Sequence, residues 1–269
     1  MSDRVLVSVT DGIADVRFNR ADKRNALDTD QFQAIADAGE RLKAEPGLRA
    51  VVVSGEGSSF CAGLDFSIFG QFADPAASGV RIGALTESGT THLAQQVCWV
   101  WQELPVPVIA AVHGHALGGG AQIALGADIR ISAPDALWSI REGHWGLIPD
   151  MTGTYVLSQL VRPDIAKELT FTARQFDGAE AHALGLVTRL ADDPHAAALE
   201  LAAEIAGRSP DAVRGAKALY NRLFARHAAS QFAAEREVIG GLIGTPNQIE
   251  AISANLEQRP PVFADPVAG

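Results

Sequence analysis

A chain of 269 residues, 47% hydrophobic and 20% charged, with no low-complexity tract or long linker, suits one compact core with an appended region. Its net charge of −10 excludes the broad basic footprint that nucleic acid requires, although a local basic cluster can still hold a small phosphorylated ligand. Two cysteines, Cys61 and Cys98, are too few for a disulfide framework and favour a reducing compartment. The start of the chain carries Asp3 and soon enters a hairpin, unlike a secretory or transit leader, and no apolar run approaches a membrane span of about 20 residues. A cytoplasmic protein without membrane contact is expected.

Val5–Val9 and Ile13–Phe18 flank Asp11-Gly12, a two-residue hairpin signal. Asp28 or Thr29 can cap a helix running to about Lys43, with Phe32, Ile35, Ala36 and Leu42 on its apolar side. Ala50–Ser54 is a β-branched strand, and Gly55–Asp65 follows it as a loop. Asp74–Gly89, rich in Gly, Ala and Ser, is expected to be a mobile loop or irregular helix that shapes a ligand pocket. His92–Leu104 has a helical pattern and leads to a buried strand, Val106–Val112. Short strands are expected at Asp128–Ser132, Ala136–Ile140 and Leu186–Arg189, with helices otherwise dominating from Thr152 onward. Alternating strands and helices followed by a helical end predict an α/β layered core over residues 1–200 and an all-helical region over 201–269.

The most informative segment is His113–Gln122, HGHALGGGAQ. It runs from a buried strand through Gly118, Gly119 and Gly120 into the helical pattern that begins at Ala121. Glycine lets a backbone approach a ligand closely, and a helix start leaves amide N–H groups without partners, so such a turn can receive a phosphate or a developing oxyanion. Tight strand-to-helix packing is the alternative reading. The Gly55–Asp65 loop makes a second strand-ending glycine turn, and two such turns can place two backbone donors around one oxygen.

With these pieces the sequence resembles the crotonase superfamily, the enoyl-CoA hydratases and isomerases. The matching residues are Asn19-Arg20 with Asn25-Ala26-Leu27, Phe60–Asp65, HGHALGGGAQ, Gly146–Asp150 with Gly153-Thr154, Ala179-Glu180-Ala181 with Gly185-Leu186-Val187, and Arg259–Phe263. The match is collinear over nearly the whole chain. The resemblance implies a spiral of β-β-α turns, an acyl-CoA substrate, and assembly as a homotrimer or dimer of trimers. It also implies an oxyanion hole built from the N–H groups of Ala62 and Gly119. For coenzyme A it implies contacts along Lys23, Arg24 and Ala26, from Gly63, Leu64 and Asp65, and from Phe263 on the tail, which can reach a neighbouring subunit's site. Lys23 and Arg24 read equally well as a solvated turn.

Three polar residues are candidates for the chemistry. Gln122 follows the glycines, Glu142 follows the Ala136–Ile140 strand, and Asp150 lies beyond an apolar and aromatic loop, Gly143–Ile148. A carboxyl in such surroundings has its charged form disfavoured, which moves its pKa toward values useful for proton transfer. Asp150 also reads as a plain N-cap for a helix from Thr152. In family hydratases two glutamates activate water; the first falls at Gln122, whose amide holds water but exchanges no proton as a carboxylate does, and the second at Glu142. The Glu142–Asp150 pair instead resembles the carboxylates of the dienoyl-CoA isomerase branch, although that branch usually carries Asp at position 122. Double-bond isomerisation is therefore expected ahead of hydration, with acyl-CoA binding without much catalysis as a further alternative. RNA, bound by one branch of the superfamily, fits poorly with the acidic charge. No metal or other cofactor is expected, since His113 and His115 lack a third ligand nearby. Cys61 is expected to pack as a small apolar group, and Trp99 and Trp101 to make core or subunit contacts.

Overall fold

In the computed structural model, which describes residues 4–68, 85–86 and 89–265, Asp11 and Gly12 both take positive φ (51° and 79°). That conformation is the one a two-residue hairpin turn demands. It folds β1 (Val5–Thr10) back on β2 (Ile13–Phe18) with Thr10 opposite Ile13. The sheet then continues in parallel through β3 (Ala50–Gly55), β4 (Val108–Val112), β6 (Ile129–Ser132) and β9 (Arg189–Leu190), in the order β1-β2-β3-β4-β6-β9. A smaller sheet, β5-β7-β8, pairs β5 (His115–Leu117) with β7 (Leu137–Ser139) in parallel and β7 with β8 (Phe176–Asp177) antiparallel.

The apolar run of β3 is continuous because both of its faces are covered. Val51 and Val53 enter the main core, whereas Ala50 and Val52 meet Ala198, Leu201 and Ala202 of a helix on the opposite side. The helices in chain order are α1 (Thr29–Lys43), α2 (Leu93–Glu103), α3 (Gly119–Leu125), α4 (Gly153–Leu160), α5 (Pro163–Thr172), α6 (Gly178–Leu184), α7 (Pro194–Ala206), α8 (Pro210–Leu242) and α9 (Pro246–Leu256). Asp28 caps α1 through Gln31 N–H at 2.9 Å, and Phe32, Ile35, Ala36 and Leu42 are buried as the pattern predicts. Trp101 lies in the core, and Trp99 packs edge-on against Tyr155 and Phe232 of α8. Buried Lys217 pins α8 to the body, donating to Trp101 O, Val106 O and Asp128 Oδ2 at 2.7–2.9 Å.

Two sequence expectations shift. The Val106–Val112 strand begins at Val108, because Pro107 offers no N–H and supplies only its carbonyl, to Val51 N–H at 2.9 Å. The expected strand at Leu186–Arg189 pairs instead at Arg189–Leu190, since Leu186 and Val187 are drawn into the main core. Most of the Asp74–Gly89 segment lies outside the described residues.

The loop after β3 joins the two sheets. Phe60 N–H and Cys61 N–H donate to His113 O and His115 O, and Leu27 bridges Leu64. Buried Asn25 ties the loop down: Nδ2 donates to Glu56 O and Ser59 O, and Oδ1 accepts Arg20 N–H. The α3 helix then lies so close that a Cβ on Gly120 would sit 2.2 Å from Cys61 O. An exposed helical Gly→Ala change ordinarily gains up to about 1 kcal/mol. Gly120→Ala is expected to reverse that sign and cost about 2 kcal/mol or more, whereas Gly215→Ala in α8, with open space around it, should stabilise the protein. Denaturant unfolding of both variants checks this; a Gly120→Ala protein as stable as the parent would mean that helix and loop do not hold this approach.

Candidate active site

A cavity of about 540 Å³ opens between the Ala62–Leu64 loop, the Gly118–Gly119 turn, the start of α2, the 3-10 turn Arg141–Trp145 and the C-terminal half of α8. Most of its wall is apolar, including Leu27, Ile68, Leu147, Met151, Ile239 and Ile243. Into this wall project Glu142, from the 3-10 turn after β7, and Asp150.

Glu142 is 8% exposed, and burial pushes its carboxyl up to about 8; the Asp150 charge adds to the rise, while the Gln122 amide opposes it. Its Oε1 accepts Gln122 Nε2–H at 2.5 Å, and Oε2 has no partner among the described residues. Gln122 itself is 1% exposed and is not part of the cavity wall. Its Nε2 donates to Glu142 and its Oε1 accepts Met151 N–H at 2.9 Å, so it holds the carboxyl in place rather than facing a ligand.

Asp150 is not the N-cap that the sequence also allowed. The residue before α4 is Thr152, with φ 68° and no side-chain cap. Glu235, which arrives from α8 and is buried, takes the N–H groups of Thr152 (3.0 Å) and Thr154 (3.1 Å), the Thr154 hydroxyl (2.5 Å) and Gln95 Nε2–H (3.1 Å). Asp150 is thereby left to the cavity, where about a fifth of its side chain is open. Burial, and then the Glu235 charge, push its carboxyl up to about 7.

His92 caps α2 by accepting Gln95 N–H on Nδ1 (3.0 Å), which places its proton on Nε2, on the side of Asp150 Oδ2 at 3.9 Å. Burial, with the Arg236 charge, pulls the ring down to about 4, so it stays neutral. His92, Glu235 and Arg236 were not singled out from the sequence. His92-Leu93-Ala94-Gln95 does carry a capping-box spacing that marks the helix start. Nothing local flags Glu235 or Arg236, whose partners lie far away along the chain.

The backbone donors need one correction. Ala62 N–H is spent on Arg24 O at 2.9 Å and cannot serve an oxyanion. Leu64 N–H has no acceptor among the described residues, and Gly119 N–H precedes the first α3 bond, Gln122 N–H to Gly118 O. Both residues line the cavity. Of the other expected contacts, Gly63 lines the cavity, while Lys23 and Arg24 are exposed on a 3-10 turn. Ala26 is half-buried, with its carbonyl on Arg20. Asp65 is engaged by the protein: against burial, which opposes it, hydrogen bonds from Ser67 and Arg20 pull its carboxyl down to about 2. Phe263 is 57% exposed on a tail tied to α9 through Asn247 and Glu250, and does not line this cavity. Cys61 is buried, donates Sγ–H to Asn25 O, and is pushed by burial up to about 12.

The sequence model of the enoyl-CoA hydratase/isomerase family matches residues 8–266. The chain belongs to that family. It is 37% identical over 217 residues to a probable enoyl-CoA hydratase of Mycobacterium tuberculosis, covering 80% of both chains. It is 31% identical over 251 residues to the mitochondrial Delta(3,5)-Delta(2,4)-dienoyl-CoA isomerase of Mus musculus, covering 91% of this chain and 76% of that one. The crystal structure of an enoyl-CoA hydratase/isomerase from Pseudoalteromonas atlantica superposes with a TM-score of 0.84 at 27% identity, over 97% of this chain and all of that one. The fold is accordingly of the crotonase type, a spiral of β-β-α turns with a C-terminal all-helical region.

A carboxyl whose folded pKa lies above its unfolded value adds stability that is fully present below the unfolded value and lost as pH rises through the folded one. For Glu142 that window runs from about 4.5 to about 8. Glu142→Gln, which keeps an acceptor for Gln122, is therefore expected to gain on the parent protein in melting temperature, by several degrees, between pH 5 and pH 9. A pH-independent difference in calorimetry would show that Glu142 ionises normally.

Proposed function

We propose that this family member isomerises the double bond of an enoyl- or dienoyl-CoA thioester by proton transfer between Glu142 and Asp150. The observation that supports this reading is that both carboxyls face one cavity with raised pKa values, while Gln122 is spent on holding Glu142. The thioester carbonyl accepts hydrogen bonds from Leu64 N–H and Gly119 N–H. Each such donor is typically worth about 2.7–4 kcal/mol to the enolate that forms. One of the two carboxyls, ionised, takes a carbon-bound proton, and the other, protonated, returns one further along the chain. Exchange with water at the cavity mouth restores both groups. Proton transfer of this kind requires no metal, flavin or nicotinamide, and coenzyme A enters as part of the substrate.

Hydration is the second reading, favoured by the name of the mycobacterial relative; the same two carboxyls would then activate a water. Lys23 and Arg24, exposed at the surface, would meet coenzyme A phosphates. Self-association as a trimer or dimer of trimers would cover Leu219, Tyr220 and Leu223, each about two-thirds exposed along one face of α8, and would bring Phe263 toward a neighbour's site. No described helix is long and apolar enough to cross a membrane, and the two free, buried cysteines agree with a cytoplasmic setting.

Incubation with enoyl- and dienoyl-CoA thioesters in deuterated water, read by mass spectrometry, is expected to show deuterium incorporation and a moved double bond without added oxygen. Products carrying only added water would establish hydration instead, and binding without either change would establish a non-catalytic protein. Asp150→Asn should lower turnover by roughly 10²–10⁴-fold. Its melting temperature should not fall below that of the parent, because Glu235 supplies the α4 cap and a carboxyl of raised pKa is removed. Full turnover in a folded Asp150→Asn protein would refute the two-carboxylate mechanism.

A further inference from the structure

Arg236 lines the cavity from α8, one turn before Ile239 and Gly240. Its Nη1 donates to Thr90 O (2.9 Å) and Gln95 Oε1 (2.8 Å), which fixes the guanidinium in the wall. Among the described residues, Nε and Nη2 have no acceptor and no carboxylate lies within ion-pair distance. The acids that face it do not supply the missing charge. Glu235 is spent on Thr152, Thr154 and Gln95, and neither Asp150 nor Glu142 comes within ion-pair distance of the guanidinium. The neighbouring His92 is neutral and offers a second donor, Nε2–H. The wall around them is apolar: Ile68, Ala94, Met151, Ile239 and Ile243.

A fixed cation with an open Nε–Nη2 edge in an apolar wall is poorly matched to a hydrocarbon chain end, which would desolvate it without compensation. The same edge matches a carboxylate through two parallel hydrogen bonds. Arg141, the other cation of the cavity, stands beside Gly118 at the thioester end, its Cβ 3.6 Å from where a Gly118 Cβ would lie. Arg236 instead shares Gln95 with His92, on the part of the wall that α2 and α8 form. We propose that the acyl group taken by this site ends in a carboxylate, received by Arg236 with His92 as a second donor. The inference rests on the acyl-CoA reading of the cavity and names its substrate class.

Two length-matched 2-enoyl-CoA thioesters, one ending in a carboxylate and one in a methyl group, test this by kcat/KM, and their saturated analogues test it by calorimetric Kd. The parent protein is expected to prefer the carboxylate form by about 100-fold in either measurement. Arg236→Gln should cut that preference at least tenfold, and Arg236→Lys, which keeps a cation, should retain part of it. Equal or reversed selectivity in the parent, or undiminished selectivity in a folded Arg236→Gln protein, overturns the proposal. If neither enoyl thioester, nor the matching dienoyl thioester, reacts yet the saturated carboxylate analogue still binds more tightly through Arg236, the isomerase reading fails and the specificity assignment stands. If both react with equal efficiency, the assignment fails and the acyl-CoA reading of the cavity stands.

Discussion

The site depends on one close approach, the backbone of Gly120 against the backbone of Cys61. Two glycine-containing turns, one after β3 and one after β5, meet there without side chains between them. That contact lets Leu64 and Gly119 open on the same cavity. The surroundings keep it in register: Asn25 fills the loop with three hydrogen bonds, and Arg20 clamps Asp65. Backbone donors fixed this way need no reorganisation when charge develops on an oxygen, which is why such preorganisation weighs heavily in catalysis.

The carboxyls are governed by a second constraint, burial without neutralising cations. Desolvation is the leading cause of the raised pKa of Glu142 and of Asp150. It is tolerable because Glu142 accepts from a buried amide and because Asp150 keeps an opening to the cavity. Gln122 gives Glu142 a neutral donor, which fixes its geometry without the large downward pull that an arginine would exert.

A single turn of α8 links these effects. Glu235 turns toward the body and saturates the start of α4, and its charge adds to the rise of the Asp150 pKa. Arg236, the next residue, turns toward the cavity, and Ile239 and Ile243 complete the apolar wall. The α8 helix thus supplies structural support, electrostatic tuning and a binding surface. Its register is held by buried Lys217 near its start and by Phe232 in the core.

Local pattern determined much of this protein. The Asp11-Gly12 hairpin, the capped α1, the buried β3 run and the two glycine turns follow from short-range chemistry, since turn residues, caps and apolar periodicity act within a few positions. Glu142 and Asp150 were legible for the same reason, as carboxyls flanking an apolar loop. The brief strands β5 and β8 were not, because they are held by partners in a second sheet rather than by any pattern of their own. The tertiary structure alone decided the rest. It assigned the Ala62 N–H to Arg24 and left that of Leu64 open, because one peptide's hydrogen bond depends on where a distant carbonyl falls. It turned Gln122 away from the cavity, gave the α4 cap to Glu235 rather than to nearby Asp150, and set Arg236 beside His92. Each of those outcomes is a contact between residues far apart in the chain, and long-range contacts leave no trace in local periodicity.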